Sequence, residues 1–143
     1  FLDEDSKQGV IGHLAKPVSL LDFSRSAAKA LPSVAQGIKV AGNPEKLVSK
    51  VGLVAGAGDS FLDRALTRDL DVFITSDLRH HRSLDFVDAS KLNDGPALMD
   101  ISHWAAEWLW LEKVQRDLGQ AFPSIKFEVN EISTDPWDFV VMQ

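Results

Sequence analysis

The sequence predicts an α/β domain built in layers, an αβα arrangement in which helices flank a mixed β-sheet. Apolar runs too short for helices alternate with segments of helical period, in the order β-α-β-β-α-β-α-β-α-β. Turn signals, Asn43-Pro44 and Asn93-Asp94-Gly95-Pro96 above all, fall between those segments. The chain has 143 residues, 45% hydrophobic and 25% charged, which is enough for a single domain, 1–143, with a real core.

The elements follow in order. The opening Phe1 to Gly9 is expected to be a linker or the remnant of a preceding segment. The chain starts at Phe1 rather than Met, which is what a truncated or cleaved product would show. Val10 to Leu14 is a short strand. Pro17 and Ser19 open a helix from Leu20 to Leu31, with Leu20, Phe23, Ala27 and Ala30 near one face and Ser19 and Asp22 as its capping pair. Ile38 to Gly42 alternates like a strand. Val48 to Ala55 reads as a buried strand, broken by Gly56-Ala57-Gly58, and a short helix starts at Ser60.

A second buried strand, Asp71 to Thr75, leads to a helix from His81 to Ser90. Ala97 to Ile101 is a strand, and a long helix runs from about His103 to Leu118 with Gly119 suited to its end. Ser124 to Ile132 alternates as a last strand through Ile125, Phe127 and Val129. Residues 134–143 form an apolar C-terminal tail that either docks on the core or covers a neighbouring subunit.

Composition excludes several classes of function. A net charge of −6 argues against a general nucleic-acid or anionic-membrane surface. Cysteine is absent, so disulfides and thiolate zinc sites are excluded and any metal must be held by His, Asp and Glu. No apolar run reaches the roughly 20 residues of a membrane span and no signal peptide is visible, so the cytoplasm is the expected location.

The chemistry concentrates after two strands. Met99-Asp100-Ile101-Ser102-His103 runs from a strand into a helix that carries Glu107 one turn on. Residues at that spacing project from one face, so an imidazole and a carboxylate can share a metal ion or a proton network. Such pairs are also common as plain solvated neighbours. Asp71-Val72-Phe73-Ile74-Thr75 delivers Ser76-Asp77-Leu78-Arg79-His80-His81 at its C-terminal end. In a parallel sheet both sets lie along one edge, where α/β folds keep their sites. The alternative is that His80 and His81 merely open a helix in solvent. A helix N-terminus disfavours imidazolium, which suits metal binding or acid/base work.

Other motifs have plainer readings. Gly56-Ala57-Gly58-Asp59-Ser60 sits where a phosphate loop would, but Phe61 occupies the third glycine position and Asp59 and Asp63 would repel phosphate. A tight turn with Ser60 and Asp63 as capping pair is the simpler account. Trp104, Trp108, Leu111 and Leu118 recur on one helix face and belong to a core or subunit interface. His13 is isolated, hence structural or exposed.

Taken together, these residues resemble a known family. Gly56 and Gly58, Asp71 to Asp77 with His81, Ser102-His103 with Glu107, and Thr134-Asp135-Pro136-Trp137 stand in the order and spacing of the NIF-three-like proteins. These are the dinuclear-metal-centre hexameric proteins often labelled GTP cyclohydrolase 1 type 2 homologs. The likeness runs from about Gly9 to Val141 and matches the C-terminal half of the longer members. It implies a NIF-three-like fold and a pair of divalent metals (zinc, manganese or iron) in the intact protein. His103 and Glu107 would be metal ligands, completing a set that the other half's histidines and aspartate begin. His81 would lie near the metals. Ser76 stands where the family usually has glycine, and His80 where an aromatic residue is common.

Two function classes follow. The first is a metal-dependent hydrolase acting on an unknown small-molecule substrate, with His81 or Asp77 as acid/base groups and GTP ring opening as the family label. The second is a non-enzymatic metal-binding scaffold or regulatory protein. Both imply a homo-oligomer, a hexamer by the resemblance, with no membrane or nucleic-acid partner.

Overall fold

Val72 to Ser76 form the strand on which the fold is organised, because all five of its residues are buried. A strand covered on both faces needs apolar side chains pointing both ways, and Val72, Phe73 and Ile74 supply them. The structure, a computed structural model, describes residues 1–142. Gln143, the last residue of the expected tail, lies outside the described residues.

Among the described residues, five strands form one sheet in the order β1-β3-β4-β5-β2. They are β1 (Val10–Ser19), β2 (Lys39–Ala41), β3 (Leu47–Ala57), β4 (Val72–Ser76) and β5 (Ala97–Asp100). The central β3, β4 and β5 run parallel, while β1 pairs antiparallel with β3 and β2 with β5. The sheet is therefore mixed, as expected. Asp71 ties β4 to β3 at its start by accepting from the Ser49 and Lys50 backbone N–H groups at 2.8 and 2.7 Å.

The helices are α1 (Leu20–Ala30), α2 (Leu62–Leu66, after a 3₁₀ turn at Asp59–Phe61), α3 (His80–Asn93) and α4 (His103–Ala121). Strand alternation assigns them to layers. Val72, Ile74, Ala97 and Met99 face α1 and α4 with Leu20, Phe23, Ala27 and Ala106. Phe73, Leu98 and Val54 face α2 and α3 with Leu62, Ala65 and Phe86. This is the αβα layering the pattern predicts.

Boundaries differ where side-chain burial is a poor guide. β1 continues past Leu14 to Ser19, its register with β3 shifting between His13 and Val18, where Pro17 has no N–H to give the ladder. It is an edge strand with mostly exposed side chains, so it leaves little pattern to read. The helix expected to end at Gly119 runs on to Ala121, with the Phe122 N–H bonding the Leu118 carbonyl at 2.8 Å. Ser19 caps α1 as expected, accepting from the Asp22 N–H at 3.1 Å. The expected Ser60–Asp63 cap is absent, since neither α2 nor the turn before it has a side-chain cap.

The segment Ser124 to Ile132, expected as a strand, joins no sheet. It runs back along α4, and the helix's own side chains hold it: Gln115 donates to the Phe127 carbonyl at 2.8 Å and Trp108 to the Asn130 carbonyl at 3.4 Å. Alternation here serves one helix face rather than a ladder, and Ile125 and Ile132 stay exposed. At the other end, residues 1–9 fold into a turn bridged between Asp3 and Gln8, with Leu2 fully buried.

Phe73 is fully buried and its ring lies 6.4 Å from that of Phe86 on α3. Phe73→Ala is expected to lower unfolding free energy by about 3–5 kcal/mol in urea titrations, because it empties the centre of one layer.

Candidate functional site

The C-terminal ends of β3 and β4 interlock, and that contact builds the site. Fully buried Thr75 donates its hydroxyl to the Gly56 carbonyl at 3.1 Å. Gly58 lies so close that an added Cβ would sit 1.9 Å from the Thr75 Oγ1. The Gly-x-Gly loop is thus packed tightly against β4. Gly56 adopts a φ of +77°, and the β3–β4 register shifts between Leu53 and Ala57. A glycine at a positive φ inside a bulge redirects the strand's end.

That redirected end faces α4. A Cβ on Gly56 would stand 2.8 Å from Glu107 Oε1 and 3.1 Å from His103 Nε2. The missing side chain leaves room for those two donor atoms, a role for Gly56 that its sequence position as a strand breaker does not reveal. His103 and Glu107 project from the first turns of α4 with Nε2 and Oε1 3.1 Å apart. On its other edge the ring meets Asp77, Nδ1 to Oδ2 at 2.5 Å. Asp77 directly follows β4, so the edge shared by β4 and β5 brings Asp77, His103 and Glu107 together.

His80 and His81 are not part of that cluster. They open α3, which packs on the opposite face of the sheet from α4. Their rings meet edge-on with centroids 5.2 Å apart, and both residues are exposed. Both sets of residues stand at the same sheet edge, but on different layers. Among the described residues no group of three or more His, Asp, Glu or Cys side chains converges to hold a metal. The reason is visible in the ring of His103, whose two nitrogens face carboxylates on opposite sides.

The start of α4 is locked from a distance. Ser102, almost fully buried, caps the helix by accepting from the Ala105 N–H at 3.2 Å and donates to Asp135 at 2.5 Å. The returning C-terminal segment thus ends on the residue beside His103. In the sequence, Ser102 signals this as a capping residue before a helix, and Asp135 only as part of the Thr134-Asp135-Pro136-Trp137 motif. Ser76 is fully buried and its hydroxyl finds no partner among the described residues, so it leaves the site's donors untouched.

Electrostatics follow from the contacts. The hydrogen bond that the Asp77 carboxylate accepts from the ring raises the His103 pKa above its ordinary 6.5, partial burial opposes the rise, and the charge of Glu107 adds to it. Two carboxylates outweigh the unfavourable position at a helix N-terminus.

Comparison with known proteins fits this picture. The profile of the Duf34/NIF3 family (NGG1p interacting factor 3) matches residues 1–136. A Mycobacterium tuberculosis protein called GTP cyclohydrolase 1 type 2 homolog is 40% identical over 131 residues, covering 91% of this chain and 34% of its own length. A Streptomyces coelicolor protein of the same name is 35% identical over 141 residues, covering 94% of this chain and 48% of its own. The chain thus spans between a third and a half of these relatives, which fits a match to half of the longer members. Among solved structures, a Staphylococcus aureus protein superposes with a TM-score of 0.77 at 26% identity, over 92% of this chain and 42% of that one. A Bacillus cereus protein related to NIF3 shares the fold with a TM-score of 0.78 at 23% identity, over 92% and 36%.

A raised folded-state pKa at His103 stabilises the fold fully below the ordinary value of 6.5, and that contribution is lost as pH rises through the folded value. The urea midpoint of the metal-free chain is therefore expected to fall between about pH 6 and about pH 9. His103→Gln is expected to flatten that profile, which denaturation curves at the two pH values check.

Proposed function

The chain belongs to the Duf34/NIF3 family, and on that premise we propose that His103 and Glu107 are two ligands of a divalent-metal centre that serves a hydrolase. The observation that carries this reading is the pairing of Nε2 with Oε1 at 3.1 Å in front of the space left by Gly56. Imidazole nitrogen and carboxylate oxygen are the donors that zinc, manganese and iron accept in a site without thiolates. Two donors do not complete a centre, and the family resemblance has histidines and an aspartate of another half supply the rest. When bound, the metals lower the pKa of a coordinated water and polarise a substrate.

The chain's own residues do the remainder. Gly56 keeps the two donor atoms uncovered, and the carboxylates beside His103 raise its pKa, so a cation competes with a proton for the ring. Of the two acid/base candidates, Asp77 touches the His103 ring, whereas His81 opens α3 on the opposite layer and lies away from the two donor atoms. The substrate is a small molecule, and GTP enters only through the name that relatives carry.

A second reading, a non-enzymatic metal-binding scaffold, is favoured by one observation. Trp137, Phe139, Val141 and Met142 are 62%, 78%, 74% and 85% exposed, a large apolar surface for a chain end. Either reading includes assembly into a homo-oligomer, hexameric by the resemblance, and a cytoplasmic location. Among the described residues no helix is long and apolar enough to cross a membrane.

With two ligands an ion keeps most of its water, so the 143-residue chain is expected to bind zinc or manganese only weakly by calorimetry. Residual binding is expected to disappear in His103→Ala. A stoichiometric submicromolar site in the chain alone, lost in that variant, would show that these residues suffice without further ligands. Incubating the metal-loaded, full-length protein with GTP and a panel of phosphoesters separates the two readings: turnover lost on metal removal supports the hydrolase, and none across the panel supports the scaffold.

A further inference from the structure

The segment that returns along α4 is tied to it on both sides of a gap. Trp108 donates its indole N–H to the Asn130 carbonyl at 3.4 Å, and Asp135 accepts from Ser102 at 2.5 Å. Between those ties Ile132 and Thr134 stand across from the helix, and a cleft of about 320 Å³ lies in between. Its helix side is Trp104 and Trp108, both half-buried, with ring centroids 6.4 Å apart and planes tilted by 46°. Rings so close leave no slot between them and form one continuous π surface. Glu107, whose Oε1 faces His103, lines the same cleft.

We propose that this cleft binds a planar, uncharged heteroaromatic ring, stacked on Trp104 and Trp108, as the substrate subsite beside the metal donors. The proposal rests on the metal-ligand reading of His103 and Glu107 for the reaction, though not for the binding of the ring. The volume falls in the range of small-molecule sites. Two indole faces select a flat ring over an aliphatic chain, because aromatic contacts gain more than their buried area. Trp108 is held to Asn130, so its ring cannot turn away. The polar groups select a heterocycle over a hydrocarbon. Asn130 uses its side-chain oxygen on the Ile132 N–H at 2.9 Å, which leaves its amide N–H groups to donate, and Thr134 adds a hydroxyl. Among the described residues no lysine or arginine lines the cleft, and the Glu107 carboxylate repels an anion. A cationic ring is disfavoured in turn by the divalent ions that Glu107 would hold.

Proton–nitrogen NMR of the indole groups tests the assignment. The metal-free 143-residue chain is titrated with quinazolinone, a neutral bicyclic ring bearing an N–H and a carbonyl. A second titration uses valerolactam, which carries the same polar pair without a π face. Quinazolinone is expected to shift the Trp104 and Trp108 signals and to spare Trp110 and Trp137, which are 58% and 62% exposed but line no part of the cleft. Valerolactam is expected to shift none of the four. Trp104→Leu is expected to weaken quinazolinone binding about 10–100-fold, and Thr134→Val about 3–10-fold. The valine variant keeps both rings and both ties, so it carries the test if the leucine protein fails to fold. No shift, equal shifts at all four tryptophans, or an equal response to both lactams would overturn the proposal. So would shifts at Trp104 and Trp108 that follow protein concentration instead of the probe, since they mark a contact between copies. Zinc chloride added to the same samples judges the metal reading separately. Zinc shifts at His103 without ring binding overturn the subsite alone, and ring binding with a His103 indifferent to zinc supports the ring site and overturns the metal reading.

Discussion

The contact between Gly58 and Thr75 is the constraint on which the rest of the site depends. A buried hydroxyl on β4 lies where a side chain on the neighbouring loop would otherwise be. Because Thr75 also bonds the Gly56 carbonyl, the ends of β3 and β4 cannot slide or separate without exposing a buried polar pair. From that fixed junction two consequences follow in space. The Gly56 backbone is turned towards α4, and Asp77 leaves β4 in a conformation that brings its carboxylate to the ring of His103. The remaining piece, the start of α4, is fixed separately by Ser102. Three stretches far apart in sequence thereby reach one point through close backbone approach rather than through a large buried surface.

Much of this was legible in the sequence because it depends on periodicity. The apolar runs Val72-Phe73-Ile74 in β4 and Ala97-Leu98-Met99 in β5, with the polar residues that follow them, announce parallel strands and a common edge, and Ser19 and Ser102 mark helix starts by residue type alone. His103 and Glu107 were readable as one face for the same reason. The layers were readable as well, since alternation in β4 has to supply apolar groups to two sides.

The rest was hidden because it depends on tertiary partners. Ile125, Phe127 and Val129 alternate, and alternation describes any extended chain with one covered side. Whether that side meets a strand or a helix is decided by what lies beside it, here Trp108 and Gln115. The register shift in β1 and the turn at residues 1–9 were invisible for a related reason, since edge strands and short turns bury too little to impose a pattern. Asp77 was singled out by its place after a strand, but its partner was not, because a hydrogen bond between a loop and the start of a helix 26 residues on has no spacing rule. The layer occupied by His81 likewise follows from helix packing and not from its position beside β4.

The bond between Ser102 and Asp135 gives the C-terminal segment a meaning beyond covering α4. It makes the integrity of the chain's last stretch a condition for the shape of the helix start that bears His103. The same carboxylate accepts the Trp137 N–H at 3.2 Å, so Asp135 joins the segment that follows it to the helix start, and a cut before it would remove the acceptor and free the Ser102 hydroxyl.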